Sequence, residues 1–168
     1  MTRRLLIMRH AKSSWADATM SDHSRPLNAR GRTTATGMAR LLRRRGLCPD
    51  TVFHSTAMRT TETWQHMCDP LPDVQRVQAL DTLYLAGADA IRDALVALPP
   101  TAQTVLLLGH NPGWERAVQT FSGEVLAMKT GDLAVLMATA DTWPELMSRS
   151  GMWTYVETIK GRLAFDCR

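Results

Sequence analysis

The sequence is poor in the residues that staple, stack or anchor a chain. It has three cysteines in 168 residues, Cys48, Cys68 and Cys167, an odd number with no C-x-x-C spacing. That argues against a disulfide framework and a zinc ribbon, and it favours a reducing compartment. Aromatic residues make up only 6%, so ten methionines and many Leu, Val and Ala must fill the core. No stretch approaches the roughly 20 apolar residues of a membrane span. The four apolar residues Leu5 to Met8 that follow Met1–Arg4 are too few for a secretory signal. The expected location is the cytoplasm, with no membrane partner. Five histidines and 16 acidic residues lack H-x-x-x-H or H-E-x-x-H spacing, so no metal and no cofactor is expected. Lysine is scarcest among the charged residues: Lys12, Lys129 and Lys160 stand against 17 arginines, with a net charge of +4. The planar guanidinium pairs bidentately with phosphate, which points to an anionic partner; a G- and C-rich genome would account for the bias equally well.

A chain of this length that is 45% hydrophobic fits one domain over residues 1–168. Arg4–Met8, Thr51–His54 and Thr104–His110 read as buried strands, and Leu133–Thr139 as a fourth. Val74–Leu80 is a weaker strand and Met152–Ile159 an alternating edge strand. Between them lie helical patterns. One is capped by Asn28 and runs to about Arg45, a second follows Ser55 to about Met67, and a third spans Gly87–Leu98 before Pro99 and Pro100. A fourth starts at Pro112, where proline suits the first turn. "RLLRRRG" reads as the cationic end of the first helix before Gly46 rather than as a nucleic-acid patch, so no nucleic-acid partner is expected. Strands alternating with helices imply an α/β fold: a three-layer α/β/α domain with a largely parallel central sheet.

In open sheets of this kind, ligands bind at the carboxyl ends of the strands. Arg9 and His10 end the first strand, and His110 ends "TVLLLGH" just before the helix-opening "NPG". Ser55 and Arg59 follow the end of "TVFH". Three strands thus deliver two histidines and two arginines to one rim.

In chain order, "MRHAKSSW", "RPLNARG", "HSTAMRTTET" and "LLGHNPG" resemble the histidine phosphatase superfamily, with its phosphoglycerate mutase-like fold. The short chain and the form "RHAKSSW" resemble the small SixA-type branch of phosphohistidine phosphatases. The resemblance implies that His10 is the nucleophile and that His110 contacts the phosphoryl oxygens. With these two histidines, Arg9 and Arg59 complete the catalytic set. Arg25 matches an arginine near the pocket in the small branch; it binds phosphate or the substrate protein, or makes a loop salt bridge. Alanine stands at position 11, where the family's first motif usually has glycine, and it is small enough that no loss of chemistry is expected.

Phosphoryl transfer asks mainly for positioning and for neutralisation of charge on three equatorial oxygens. Arginine donors meet that need, and a neutral imidazole is a competent nucleophile toward phosphorus. Lys12 either adds a phosphate donor or solvates the loop with Ser13 and Ser14. Ser55 either donates to a phosphoryl oxygen or caps the second helix. His23 and His54 read as neighbours of the site, while His66 and the cysteines read as structural. The general acid usual in the family has no obvious match among Asp69, Asp73, Asp81, Asp89 and Asp93; Asp81, after a strand, is the best placed. An alkoxide leaves poorly without an acid, whereas imidazole can leave neutral with a proton on its far nitrogen. The expected activity is therefore metal-independent dephosphorylation through a covalent phosphohistidine, with a phosphorylated protein of the histidine-phosphotransfer type as partner. A small phosphoester or phosphoanhydride substrate is the enzymatic alternative. A phosphate- or nucleic-acid-binding protein on the same scaffold is the non-enzymatic one.

Overall fold

The computed structural model describes residues 1–71 and 73–166; Cys167, read above as structural, lies outside them. Six strands form one sheet in the order β3-β2-β4-β1-β5-β6. These are β1 (Thr2–Arg9), β2 (Thr51–Ser55), β3 (Arg76–Leu80), β4 (Thr104–Gly109), β5 (Leu133–Thr139) and β6 (Thr154–Ile159). The four central and left-hand strands are parallel, while β5 and β6 run antiparallel to their neighbours. The fold is thus the expected mixed α/β architecture with a largely parallel sheet.

Alternation along each strand divides the core into two layers. Leu5, Ile7, Val105, Leu107, Ala134 and Leu136 face one side, where they meet α3 (Ala88–Val96), α4 (Gly113–Ser122) and α5 (Trp143–Met147). Leu6, Met8, Leu106, Leu108, Leu133 and Val135 face the other, under α1 (Ala29–Arg44), α2 (Met58–Met67) and α6 (Gly161–Phe165). Continuous apolar runs in β1 and β4 are what a parallel strand covered on both faces requires.

Local signals set the helix starts. The Asn28 side chain accepts from the Gly31 N–H at 2.8 Å, the cap read from the sequence. The short helices α5 and α6 were not expected, since five residues show no period. Yet Thr142 caps α5 by accepting from the Glu145 N–H, with proline in the first turn, and that T-x-x-E pattern was legible. Cys48 is half-buried and Cys68 exposed, both as free thiols.

Helices α1 and α6 meet at closest approach through Gly37. A Cβ there would lie 1.8 Å from the Ala164 carbonyl oxygen. An alanine inside a helix ordinarily gains about 0.5–1 kcal/mol over glycine. Here overpacking of about 1–3 kcal/mol should win. Gly37→Ala is therefore expected to lower the urea midpoint, and a raised midpoint would contradict this contact.

Candidate active site

Because β1 and β4 are parallel neighbours with Arg9 opposite Gly109, the residues that leave their carboxyl ends emerge side by side. The His10 and His110 rings are 5.4 Å apart, and both side chains are buried, at 7% and 2% exposure. β2 ends alongside at Ser55, whose Oγ accepts from the Ala57 N–H at 3.1 Å. α2 then starts at Met58, so Arg59 stands in its first turn. Helical side chains tilt toward the helix N-terminus, which sends this guanidinium back over the strand ends.

The hydrogen bonds define the tautomers. His10 Nδ1 lies 2.7 Å from the Ala11 carbonyl oxygen. A carbonyl only accepts, so Nδ1 carries the proton and Nε2 is bare. Nε2 accepts from Arg59 Nε at 3.3 Å. On His110 the order is reversed. Arg59 Nη2, a pure donor, sits 3.2 Å from Nδ1, so Nε2 carries the proton and donates to Ser55 Oγ at 2.8 Å. Burial, followed by the positive charges of Arg59, Arg9 and Arg25, outweighs the Ala11 bond and pushes His10 down to about 4. Burial and the charge of Arg59 push His110 down to about 3. Both rings are neutral at pH 7.

The structure brings His10, His110, Arg59, Arg9 and Ser55 together. Arg9 donates to the Met128 carbonyl at 2.8 Å, and its buried Nε has no hydrogen-bond partner among the described residues, leaving a donor for an oxyanion. Ser55 is not the cap of α2: the helix starts three residues later, and its N-cap, Ala57, makes no side-chain bond. Arg25 sits in the loop above the site, donating to Ser13 Oγ at 2.8 Å and pairing with Asp22 at 2.8 Å, its guanidinium 3.6 Å from the centre of the exposed Trp15 ring. Lys12 goes elsewhere. Its side chain lines a different cavity, which none of the two histidines, Arg9 or Arg59 lines. Asp81 opens a 3-10 turn (Asp81–Leu83) and accepts from the Thr56 hydroxyl at 2.7 Å, while Thr56 also meets His23 at 3.1 Å. His54 is buried beside the site with Nδ1 2.9 Å from the Ser55 carbonyl oxygen.

Asp22 escaped the sequence reading. Its carboxylate and carbonyl accept from Arg59 at 3.0 and 2.6 Å, and the carboxylate also accepts from the Tyr84 hydroxyl at 2.7 Å. Partial burial works against ionisation, but Tyr84, Arg25 and Arg59 hold the carboxyl far below its ordinary value. Tyr84 in turn sets its ring edge-on to His110 at 5.5 Å. Thr63 was missed too; its hydroxyl accepts from the Ala11 N–H at 3.1 Å and so steadies the turn after the nucleophile candidate. The i,i+3 spacing of Asp22 and Arg25 was the one available signal. Among the described residues, no group of three His, Cys, Asp or Glu side chains could hold a metal ion.

With this geometry, residues 5–84 match the model of the histidine phosphatase superfamily, branch 1. The chain belongs to that superfamily, in its SixA-type branch, and is a phosphatase of the histidine phosphatase class. The SixA protein of Nakamurella multipartitia superposes with a TM-score of 0.82 at 28% identity, over 95% of this chain and 96% of that one. A protein histidine phosphatase SixA complexed with tungstate shares the fold with a TM-score of 0.80 at 23% identity, over 95% and 97% of the two chains. A chloroplastic protein of Arabidopsis thaliana with no characterised function is 32% identical over 163 residues, which is 90% of this chain and 73% of that one.

Both histidines have folded-state values below the ordinary 6.5. Protonation therefore favours the unfolded chain: their stabilising contribution is whole above pH 6.5 and is lost as pH falls, toward 4 for His10 and toward 3 for His110. A nuclear magnetic resonance titration of the His10 ring should show a midpoint near 4, and unfolding free energy should decline over the same window. A midpoint near 6.5 would mean that the ring is neither dry nor flanked by cations.

Proposed function

We propose that this phosphatase is metal-independent, forms a phosphohistidine on His10, and acts on phosphohistidine in a protein. The observation that carries the reading is the bare Nε2 of His10, held in its tautomer by the Ala11 carbonyl and aimed at Arg59. Its lone pair forms a bond to phosphorus while the P–N bond of the substrate breaks. The departing imidazole leaves neutral, already holding a proton on its far nitrogen. Arg9, Arg59 and His110 receive the equatorial oxygens as charge-assisted and neutral donors; His110 would turn its ring, or exchange its tautomer, to present an N–H. Water then attacks phosphorus, the Nε2–P electron pair returns to His10, and the water's proton ends on the released phosphate. His10 keeps its Nδ1 proton throughout.

Asp22 is no general acid, since three donors hold it ionised. Asp81 is engaged by Thr56 at the edge of the site. A site without a committed acid suits a leaving group that needs none, which supports the N–P substrate. The SixA name of the structural neighbours supports the same choice. The free thiols of Cys48 and Cys68 fit a reducing cytoplasm; among the described residues no helix is long and apolar enough to cross a membrane.

Rates should rank a phosphohistidine peptide above an aryl phosphate and both above a phosphoserine peptide. His10→Ala should abolish turnover while leaving the fold intact, and trapped wild-type enzyme should carry phosphate on His10. Label on Ser55 or on a carboxylate would overturn the mechanism.

Asp81→Asn should leave phosphohistidine hydrolysis nearly unchanged, whereas losing a true general acid costs on the order of 10²–10⁴-fold on an alkyl phosphate. A phosphoserine rate that equals the phosphohistidine rate and collapses in Asp81→Asn would make this a phosphomonoesterase with Asp81 as its acid.

A further inference from the structure

All three lysines of the chain line one cavity of about 770 Å³, together with Arg30 and Arg162. The sole acid there is Asp132, and its charge is used inward. Oδ1 accepts from the Gly161 N–H at 2.9 Å, and Oδ2 accepts from the Lys129 N–H at 3.1 Å and Lys160 Nζ at 3.3 Å. Among the described residues, none of Lys12, Arg30, Lys129 and Arg162 has a carboxylate partner. Five cations thus surround one buried carboxylate.

The choice of amine over guanidinium is the telling feature. Arginine outnumbers lysine 17 to three in this sequence, yet all three lysines line this one cavity. Three lysines scattered at random among twenty cations would seldom all fall within one group of five. An ammonium is a compact point charge on a flexible stem, and several can close on one small ligand where planar forks would crowd. A volume of this order is that of a small-molecule site. An extended nucleic acid would instead want a long basic track.

We propose that this cavity is a second anion site, distinct from the catalytic pocket, that takes a small polyphosphate, either free or as the tail of a nucleotide. The site stands back to back with the nucleophile. Lys12 lies two residues beyond His10, the Gly131 N–H donates to the carbonyls of Arg9 and His10 at 3.1 and 3.0 Å, and the Arg9 N–H donates to the Asp132 carbonyl at 3.0 Å. An anion bound here would place its charge behind the backbone that aims both residues.

The test is a calorimetric titration of inorganic triphosphate into the full chain at physiological salt. Wild type and Arg59→Ala should each bind one equivalent at this cavity. The double variant Lys129→Ala/Arg162→Ala should bind on the order of 10²-fold more weakly, since two charge-assisted contacts are lost. That variant should keep wild-type hydrolysis of an aryl phosphate, which shows that it is folded. Adenosine triphosphate binding more tightly than triphosphate assigns the ligand to the nucleotides; equal binding assigns it to free polyphosphate. Binding that disappears in Arg59→Ala and survives in the double variant would place the anion in the catalytic pocket alone and overturn the proposal. So would the absence of saturable binding to wild type, or tighter binding of a single-stranded oligonucleotide than of triphosphate.

Discussion

One buried guanidinium organises the site. Arg59 is 3% exposed, and its nitrogens reach His10 Nε2, His110 Nδ1 and both the carbonyl and the carboxylate of Asp22. A charge so buried is tolerable only with a partner, and Asp22 supplies one from a loop that is otherwise irregular. Burial, joined by the same positive charge, keeps both imidazoles unprotonated. The group suited to stabilising a phosphoryl oxyanion thus also helps to keep the candidate nucleophile neutral. Arginine can hold both duties because it does not itself titrate in the working range.

That arrangement depends on the loop between β1 and α1. Ser14 N–H donates to the Pro26 carbonyl and Asn28 N–H to the Lys12 carbonyl, which closes the base of the excursion. Leu27 N–H donates to Glu62 on α2 at 2.6 Å, which ties the loop to the helix that bears Arg59. Within the loop, Asp22 bridges Arg25 and Arg59. Few apolar contacts hold residues 15–24; polar bonds to α2 do the work instead, so the position of Asp22 follows that of α2.

The legible parts of the molecule are those with a period or a topological rule. The apolar runs of β1, β2 and β4 showed the sheet, and the carboxyl-end rule brought Arg9, His10, Ser55, Arg59 and His110 to one rim. Asp22 and Tyr84 were not legible, because they sit on irregular segments and act through side-chain reach across the fold. Ser55 was half read: its position held, but its hydroxyl serves His110 and a turn rather than a helix cap. Lys12 shows the limit of proximity in sequence. Two residues from His10, it lines another cavity, because β1 ends at Arg9 and the alternation that would set positions 10 and 12 on one face does not run past it.

The bond from His10 Nδ1 to the Ala11 carbonyl has a regiochemical consequence. A ring whose Nδ1 proton is committed to the backbone has one face left for electrophiles. Any phosphoryl group that His10 accepts would sit on Nε2, and the two possible phosphoimidazole isomers would never mix. A protein substrate would be drawn from either isomer, but what the enzyme itself carried between the two half-reactions would be a single compound, selected by a main-chain oxygen that no side-chain substitution can delete.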